Sequence, residues 1–514
     1  MDSTTVEAAR DAACLANYLP NRSGETRQRG AVAVMFAVLL PLIIVCYGLA
    51  LDLGRVYSRK AEMQAIAGSA AIAAAKKLNG TKAGIENAIT AAGHVLQGGG
   101  DNTDAIYWPK YGYVNTMVWS DAAIMFSKTA DGSTGWLSAE SAKQAPRGLA
   151  FVKVDTSALD KSYGAVDMLF APVSSSFATV NVSHTAVAGR GSINVTPFGI
   201  CAMDAAFTRR KNVLTDTTYD ELVEYGFRRG VGYNLMKLNP NGSVAGRNYL
   251  IDPVALSGSG SPNNLSLTTV TPYVCTGTMA VPRLIGEKVT VQSGFPLASL
   301  VNQLNSRLDI YTNGCDAATT PPGTNVKQYT ANSSLGWMSP KPPTTSQTAA
   351  SQTITRDGVT MLQTKADQDP PNNLTTTDTG VLWAYAKAVP WSAYTPGVPE
   401  PEGGYEPFET KQVTWDKLYG SSVLLAPTGS NYPSPTPSAS ITSPPALARR
   451  PGVANRRVLN VPILDCATMS GSTATVLAVG RFFMTVQATT SAISAEFAGA
   501  TSEVQAGGPV ELVQ

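Results

Sequence analysis

Histidine is nearly absent from this sequence, and the motifs of common catalytic sites are absent altogether. Only His94 and His184 occur among 514 residues, which leaves little material for histidine-based acid–base or metal chemistry. The sequence contains no Gly-x-Ser-x-Gly motif, no Gly-x-x-x-x-Gly-Lys-Ser/Thr phosphate loop and no Cys-x-x-Cys zinc spacing. It therefore predicts no catalytic residue, no cofactor and no metal site, and we expect the protein not to be an enzyme.

Charge is also scarce. Charged residues make up 15% of the chain, and 39 Lys and Arg against 37 Asp and Glu leave a net charge of +2. This balance lacks the basic excess that nucleic-acid binding requires, so no nucleic-acid partner is expected. The abundance of glycine and proline, 45 and 33 residues, favours β-structure and long loops over helical bundles.

One long apolar run stands out against this background. No charged residue occurs from Ala31 to Leu51, and about 21 helical residues span roughly 32 Å, enough to cross the hydrocarbon core of a bilayer. A buried globular helix would show a polar stripe, and a cleavable signal peptide has a shorter apolar region. We therefore predict a membrane anchor, with Gly30 before the span, Pro41 inside it and Asp52 at its end.

The same helix is predicted to continue beyond the membrane. Residues 53–78 contain no proline and end at Asn79-Gly80, a helix C-cap signal, which gives a helix of about 48 residues. Small side chains recur on one face and favour close packing against another element, although alanine in this region is also explained by helix propensity alone. These predicted packing residues are Ala61, Ala65, Ser69 and Ala73.

Strand patterns dominate the remainder of the chain. Alternating apolar and polar residues predict one half-buried strand over 178–188. The sequence Thr218-Tyr-Asp-Glu221 fits a capping box and predicts a short helix through Tyr225, with its carboxylates in solvent. The arginine pairs at 228 and 229, 449 and 450, and 456 and 457 are interpreted as surface charge.

The predicted fold class is α+β: a single N-terminal transmembrane helix that extends into a long helix, followed by a strand-rich exported region. Length alone predicts more than one folded unit. The predicted segments are a short cytoplasmic N-terminus at 1–29, the transmembrane helix at 30–52, the long helix with a strand-rich domain at 53–200, a second strand-rich unit at 201–318, a Pro/Ser/Thr-rich extended region at 319–455 with a docked segment near 378–389, and C-terminal strands at 456–514 that return to the core.

Four cysteines lie after the span: Cys201, Cys275, Cys315 and Cys466. Their wide separation predicts two disulfides in an oxidising compartment, with three pairings open, while four buried thiols in a reducing compartment are the alternative. A single span with a short N-terminal tail commonly exports the C-terminal part of its chain. We therefore expect a cytoplasmic N-terminus and a large region outside the cytoplasm.

Three stretches of the N-terminal region carry a family resemblance. They are RGAVAVMFAVLLP at 29–41, GLALDLGRVY at 48–57 and MQAIAGSAAIAAA at 63–75. Together they resemble the N-terminal module of TadG-like proteins of the tight-adherence (Tad/Flp) pilus system, and the long helix before strands is pilin-like in outline.

The resemblance implies a single-pass protein of the bacterial inner membrane with a periplasmic C-terminal region. It also implies a minor pilin-like accessory role in pilus biogenesis and adherence, with other pilus-assembly or minor pilin proteins as partners. The sequence departs from relatives at two sites: Leu159 replaces the last serine of the Asp-x-Ser-x-Ser metal motif that begins at Asp155, and Met35 replaces the glutamate expected for prepilin processing. The alternative is a membrane-anchored periplasmic enzyme or carbohydrate-binding adhesin on the same anchor.

Overall fold

The computed structural model of the chain describes most of its residues. These are residues 28–97, 118–170, 178–214, 217–230, 232–236, 248–257, 262–293, 297–328, 353–356, 359–362, 388–398, 400–401, 404–406, 443–490 and 492–513. Nearly all of the predicted N-terminal segment 1–29 and most of the predicted extended region 319–455 lie outside them. Of the docked segment expected near 378–389, only Ala388 and Val389 are described, and both are buried.

The helices begin with the long element that the apolar run predicts. Helix α1 has 50 residues and its helical backbone runs through Pro41, although proline cannot donate the backbone hydrogen bond expected there. The helices are α1 Gln28–Lys77, α2 Lys82–Gln97, α3 Ala139–Gln144, α4 Leu267–Thr276, α5 Val301–Asn305 and α6 Glu503–Ala506.

Eighteen strands are described, which confirms the predicted α+β class. In chain order they are β1 Ile124–Ser127, β2 Leu137–Ser138, β3 Phe151–Asp155, β4 Ala165–Asp167, β5 Thr179–Asn181, β6 Thr185–Arg190, β7 Phe198–Cys201, β8 Thr208–Leu214, β9 Thr217–Val223, β10 Gly232–Asn234, β11 Asn248–Leu256, β12 Lys288–Ser293, β13 Thr353–Arg356, β14 Val359–Leu362, β15 Val458–Ser470, β16 Thr473–Met484, β17 Ser494–Thr501 and β18 Val510–Leu512.

The chain divides into two compact units. The first unit comprises residues 1–63 and 161–183, and the second comprises residues 64–160 and 184–514. In the first unit, α1 is accompanied by the β4–β5 hairpin, whose strands are antiparallel with Val166 opposite Val180. Two further backbone hydrogen bonds extend the hairpin, from Val182 to the carbonyl of Gly164 and from Met168 to that of Ala178, each 2.9 Å long.

In the second unit, a seven-stranded sheet closes on itself. Its order is β10-β17-β16-β12-β11-β7-β15, and β15 pairs with both β7 and β16, so that β16, β12, β11, β7 and β15 form a ring. Neighbouring residues on these strands belong to different cores: Ile463 packs in one cluster and Leu464 in the other. Where both faces are buried, consecutive residues are apolar, as in β7 and at 461–464 of β15.

A five-stranded antiparallel sheet, in the order β18-β6-β3-β1-β2, completes the main elements of the second unit. The end of α1 is capped from this sheet, since the guanidinium of Arg190 on β6 donates to the carbonyls of Leu78 and Lys76, each at 3.2 Å. A cation at these carbonyls also opposes the negative end of the helix dipole.

Two local predictions are wrong. The capping-box helix is instead strand β9, fully paired with β8, because the threonines and tyrosine at 217–219 favour a strand and a neighbouring partner satisfies the backbone. The single strand predicted over 178–188 is two strands, β5 and β6, which pair with β4 and β3 respectively. His184 lies between them and is half-buried.

Two disulfides are present in the second unit. Cys201 on β7 pairs with Cys466 on β15, and Cys275 on α4 pairs with Cys315. The first bond joins two strands of the ring that already lie side by side. The fold therefore adopts Cys201–Cys466 with Cys275–Cys315, one of the three pairings that the sequence left open.

Candidate functional site

The apolar part of helix α1 is the first candidate functional surface. Among the described residues, this is the one helix long and apolar enough to cross a membrane. Its large side chains are exposed from Val34 to Leu53 and reach 71% exposure at Tyr47. A soluble protein rarely exposes a continuous apolar surface of this extent, so the helix is a candidate membrane span.

Asp52, at the end of this surface, is almost completely buried within the first unit, with 1% exposure. Its carboxylate accepts two backbone hydrogen bonds, from Leu169 N–H to Oδ1 at 2.9 Å and from Phe170 N–H to Oδ2 at 2.8 Å. Both carboxylate oxygens are therefore bonded to the chain just after β4. Such bonds to an ionised acceptor are about twice as strong as bonds between neutral groups.

Two arginines continue the contact along the same helix. Arg55 donates to the carbonyl of Asp167 at 2.9 Å, and Arg59 donates through Nε to the carbonyl of Tyr163 at 2.6 Å. Arg59 also pairs with Glu62 at 2.6 Å. We call Asp52, Arg55 and Arg59, with the backbone groups that they bond, the polar clamp.

The spacing of the clamp explains its geometry. Residues three and four apart lie on one helix face, and Gly48, Asp52, Arg55 and Arg59 follow that spacing. Along the helix from Asp52 to Arg59, the contacted residues have progressively lower residue numbers, from Phe170 to Tyr163. This segment therefore runs antiparallel beside the helix. The sequence shows the helix spacing, but it does not show which distant backbone groups the face contacts.

Gly48 completes this face because it has no side chain. An ideal Cβ at Gly48 would lie 2.5 Å from Cβ and 2.6 Å from Cγ of Phe170, which is closer than carbon atoms approach without displacement. Phe170 therefore packs directly on the helix backbone.

We expect Gly48→Ala to displace Phe170 and weaken the clamp by about 1–3 kcal/mol, the usual cost of overpacking. Amide hydrogen exchange at Leu169 measures the effect and should accelerate. Gly54→Ala is the matched control, because nothing lies within 4 Å of its ideal Cβ. Adding Phe170→Gly to Gly48→Ala removes both the Cβ and the ring that the new methyl group would meet; if exchange at Leu169 is unchanged in Gly48→Ala, steric contact at Gly48 is not what this position requires.

The other predicted anchor residues lie in or beside this surface. Pro41 is inside the exposed apolar part of α1, and Gly30 is in its first turn. Of the three predicted anchor residues, only Asp52 has described contacts with a distant segment. Its partners, Leu169 and Phe170, lie 117 and 118 positions further along the chain.

The predicted packing face is not the face that this chain buries. Ala61 and Ala65 are exposed, and Ser69 and Ala73 are half-buried. The side chains buried within the second unit lie on an adjacent face: Ala67, Ala70, Ala71, Ala74 and Ala75. Small residues occupy both of these faces, so composition alone cannot decide which face meets the fold.

A second cluster of functional-type residues is a buried charge network in the second unit. Arg228 and Glu221 are 1% and 0% exposed at their side chains, with Nη2 and Oε2 2.6 Å apart. Arg229 pairs with Glu224 at 2.5 Å and with Glu400 at 3.2 Å. The prediction that these arginines are surface charge is wrong, because each charge is balanced by a carboxylate that the β8–β9 hairpin and its neighbours place inside.

The prediction of surface charge is also wrong for Arg457. It is 3% exposed and donates to the carbonyls of Met484 and Thr485, each at 3.0 Å. Arg228, Arg229 and Arg457 thus satisfy buried backbone and carboxylate oxygens, a role that a sequence pattern of paired arginines does not reveal.

Electrostatics in the charge network follow from burial. Burial raises the pKa of Tyr225 to about 12, and the nearby Tyr394 and Glu224 contribute in the same direction. Burial by itself lowers the pKa of Arg229, but the carboxylates of Glu224 and Glu400 outweigh it and the net pKa lies above its usual value. The guanidinium of Arg229 therefore stays charged at neutral pH.

Tyr225 gives a pH-dependent prediction. Between about pH 10 and about pH 12 the unfolded chain loses the phenolic proton while the native chain keeps it, so the free energy of unfolding falls as pH rises. We expect Tyr225→Phe to reduce that fall by about 2 kcal/mol, as measured by urea unfolding in detergent at both ends of this range. Tyr57→Phe, at an exposed tyrosine, is the control, and equal pH slopes for Tyr225→Phe and the wild type would contradict the assignment.

A small surface hollow lies elsewhere in the second unit, lined by Leu78, Leu149, Arg190, Ile193 and Arg283 among others. Its volume of about 20 Å³ accommodates about one water molecule. This hollow is too small for an organic substrate.

Comparison with known proteins gives one match. Residues 30–77 match the family model described as putative Flp pilus-assembly TadE/G-like, which confirms the resemblance seen in the sequence. The match covers the apolar surface of α1 and the helix residues of the polar clamp, and it ends where α1 ends. No curated protein and no solved structure is similar to the chain.

Proposed function

We propose that this chain, whose residues 30–77 match a TadE/G-like pilus-assembly model, is a membrane-anchored accessory component of Tad/Flp pilus biogenesis. In this role α1 anchors the protein, and the strand-rich region contacts other pilus-assembly or minor pilin proteins. The protein acts as a minor pilin-like component and supports adherence. The observation that carries the proposal is the match over 30–77, because it coincides with the apolar helix and its clamp.

The proposed orientation rests on the cysteines. Both disulfides lie after the span, Cys201–Cys466 and Cys275–Cys315, and such bonds persist in oxidising compartments. We therefore propose an inner-membrane protein with a cytoplasmic N-terminus and a periplasmic C-terminal region.

Contact with partners is proposed for the exposed small side chains of α1. Ala61 and Ala65 are exposed, so this chain does not use them for its own core. Small side chains allow another helix to approach closely. We propose that the face formed by Ala61, Ala65, Ser69 and Ala73 contacts another pilus component. Ser69 and Ala73 form its half-buried end.

Deletion of the gene in the source bacterium tests the proposal. We expect loss of surface pili and of adherence, restored by the wild-type gene supplied in trans. Asp52→Ala should restore neither, whereas Asp167→Ala should restore both, because the Asp167 side chain is not part of the clamp. Normal piliation in the deletion strain would contradict the proposal.

Affinity capture of the full-length protein from envelope membranes tests the partners. Other pilus-assembly proteins should copurify, and Ala61→Trp should reduce their recovery while leaving the membrane fraction of the protein unchanged. The alternative of a periplasmic enzyme or carbohydrate-binding adhesin is not proposed, because no observation on the described residues favours it.

A further inference from the structure

The corner after strand β4 is apolar and exposed. Leu169 is 64% exposed and Phe170 is 47% exposed, although the backbone of both residues is held tightly by Asp52. Large apolar side chains on a fixed backbone are an unfavourable surface in water. Their position therefore needs a physical reason.

The position of this corner along α1 supplies the reason. Phe170 packs on Gly48, four residues and about 6 Å before Asp52 along the helix axis. The helix side chains at this level are also apolar and exposed, with Tyr47 at 71%, Leu49 at 49% and Leu51 at 59%. Leu169 and Phe170 therefore widen the apolar surface of the candidate span at its end.

The polar end of the hairpin lies beside the polar part of the helix. Asp167 is held by Arg55 and Tyr163 by Arg59, and these arginines lie about 5 and 10 Å beyond Asp52 along the helix axis. The change from apolar to polar thus occurs at the same level on the helix and on the hairpin. In the described part of the first unit, the exposed large apolar side chains lie at or before the level of Asp52, except for Leu53 and Tyr57 on the helix.

We propose that Leu169 and Phe170 enter the membrane–water interface beside α1, so that the protein contacts the lipid surface through a hairpin corner as well as through its span. The proposal rests on the proposed function, because it requires α1 to span the membrane. Arg55 and Lys60, both exposed, then lie just outside the hydrocarbon region, where long cationic side chains reach the interface.

Asp52 has a defined part in this arrangement. A carboxylate at the edge of the hydrocarbon region is costly unless its oxygens are bonded. The N–H groups of Leu169 and Phe170 supply bonds to both oxygens. The same contact therefore satisfies the charge and sets the depth of the two apolar side chains.

Site-specific labelling of the full-length protein tests the proposal. The thiols of Cys14 and Cys46 are replaced by serine, and a single cysteine is introduced as Leu169→Cys, Lys161→Cys or Ile44→Cys. Each variant is labelled with a polarity-sensitive fluorophore and reconstituted in phosphatidylcholine–phosphatidylglycerol vesicles. Quenching is measured with aqueous iodide and with lipids that carry a nitroxide near the headgroup.

The Ile44 label reports the span and the Lys161 label reports the aqueous end of the hairpin. At residue 169 we expect strong quenching by the nitroxide lipid and about threefold weaker quenching by iodide than at residue 161, as for a side chain 5–10 Å deep in the interface. Adding Asp52→Ala should move the residue 169 label toward water and leave the residue 44 label unchanged.

Three results would overturn the proposal, and they differ in whether the membrane anchor of the proposed function also fails. If residue 169 is quenched by iodide as strongly as residue 161 while residue 44 is quenched only by lipid, the corner is aqueous and the anchor stands. If residue 169 is shielded from both quenchers, a protein surface covers it instead of lipid. If residue 44 is quenched by iodide, the membrane anchor of the proposed function fails together with this inference.

Discussion

Asp52→Ala is expected to release the β4–β5 hairpin from helix α1 in the first unit. The substitution leaves the N–H groups of Leu169 and Phe170 without the carboxylate that now accepts from both. Hydrogen bonds to a charged group contribute about 1.5–3 kcal/mol each, so the loss of two should weaken the contact by at least about 3 kcal/mol. Amide hydrogen exchange at these two residues should accelerate by about 100-fold.

The comparison of three carboxylate variants isolates the cause. Asp52→Asn retains one carbonyl acceptor but places an amide donor against the second N–H, so we expect an intermediate effect. Asp167→Ala removes an exposed carboxylate whose side chain bonds only Thr179 in the described contacts, and it should leave exchange at Leu169 nearly unchanged. Equal exchange rates in wild type and Asp52→Ala would show that the clamp does not hold the hairpin.

Arg228→Met is expected to destabilise the second unit by about 3–5 kcal/mol, since it leaves the carboxylate of Glu221 buried without its partner. Three hydrogen bonds join the two side chains, from Nε at 3.0 and 3.1 Å and from Nη2 at 2.6 Å. Glu221→Met should be comparably damaging for the converse reason. Urea unfolding in detergent, followed by circular dichroism, measures both variants.

The double variant, Glu221→Met with Arg228→Met, distinguishes pairing from packing. Replacement of a buried ion pair by apolar groups of similar volume is often close to neutral, so the double variant should recover most of the lost stability. Arg209→Ala is the matched control on the same hairpin, because its pair with Asp220 is exposed and 3.6 Å long, and it should cost less than about 1 kcal/mol. A double variant as unstable as the sum of the single variants would contradict this explanation.

Local patterns predict elements well where one choice dominates. Helix α1 was predictable from its start to Asn79-Gly80 because no proline follows Pro41 within it and apolar or helix-favouring residues fill it. Strands β15 and β16 lie where apolar β-branched residues are dense. In these segments, propensity and burial act in the same direction.

Local patterns fail where a distant strand supplies the decisive contact. Thr218 to Glu221 satisfies the formula of a helix cap, but pairing with β8 satisfies the same backbone groups in a strand. The alternation over 178–188 is real, yet β5 pairs with β4 whereas β6 pairs with β3. A period of two identifies strand-forming residues and contains no information on their partners.

Sequence alone determined the long apolar helix, the position of Asp52 at its end and the TadE/G-like character of residues 30–77, because these depend on residues close together in the chain. Tertiary structure alone decided that Asp52 holds a hairpin more than one hundred residues away, that Cys201 joins Cys466, and that Arg228 is buried against Glu221. Each of these contacts depends on which backbone or side chain the fold brings opposite a given residue. No property of the residue itself carries that information.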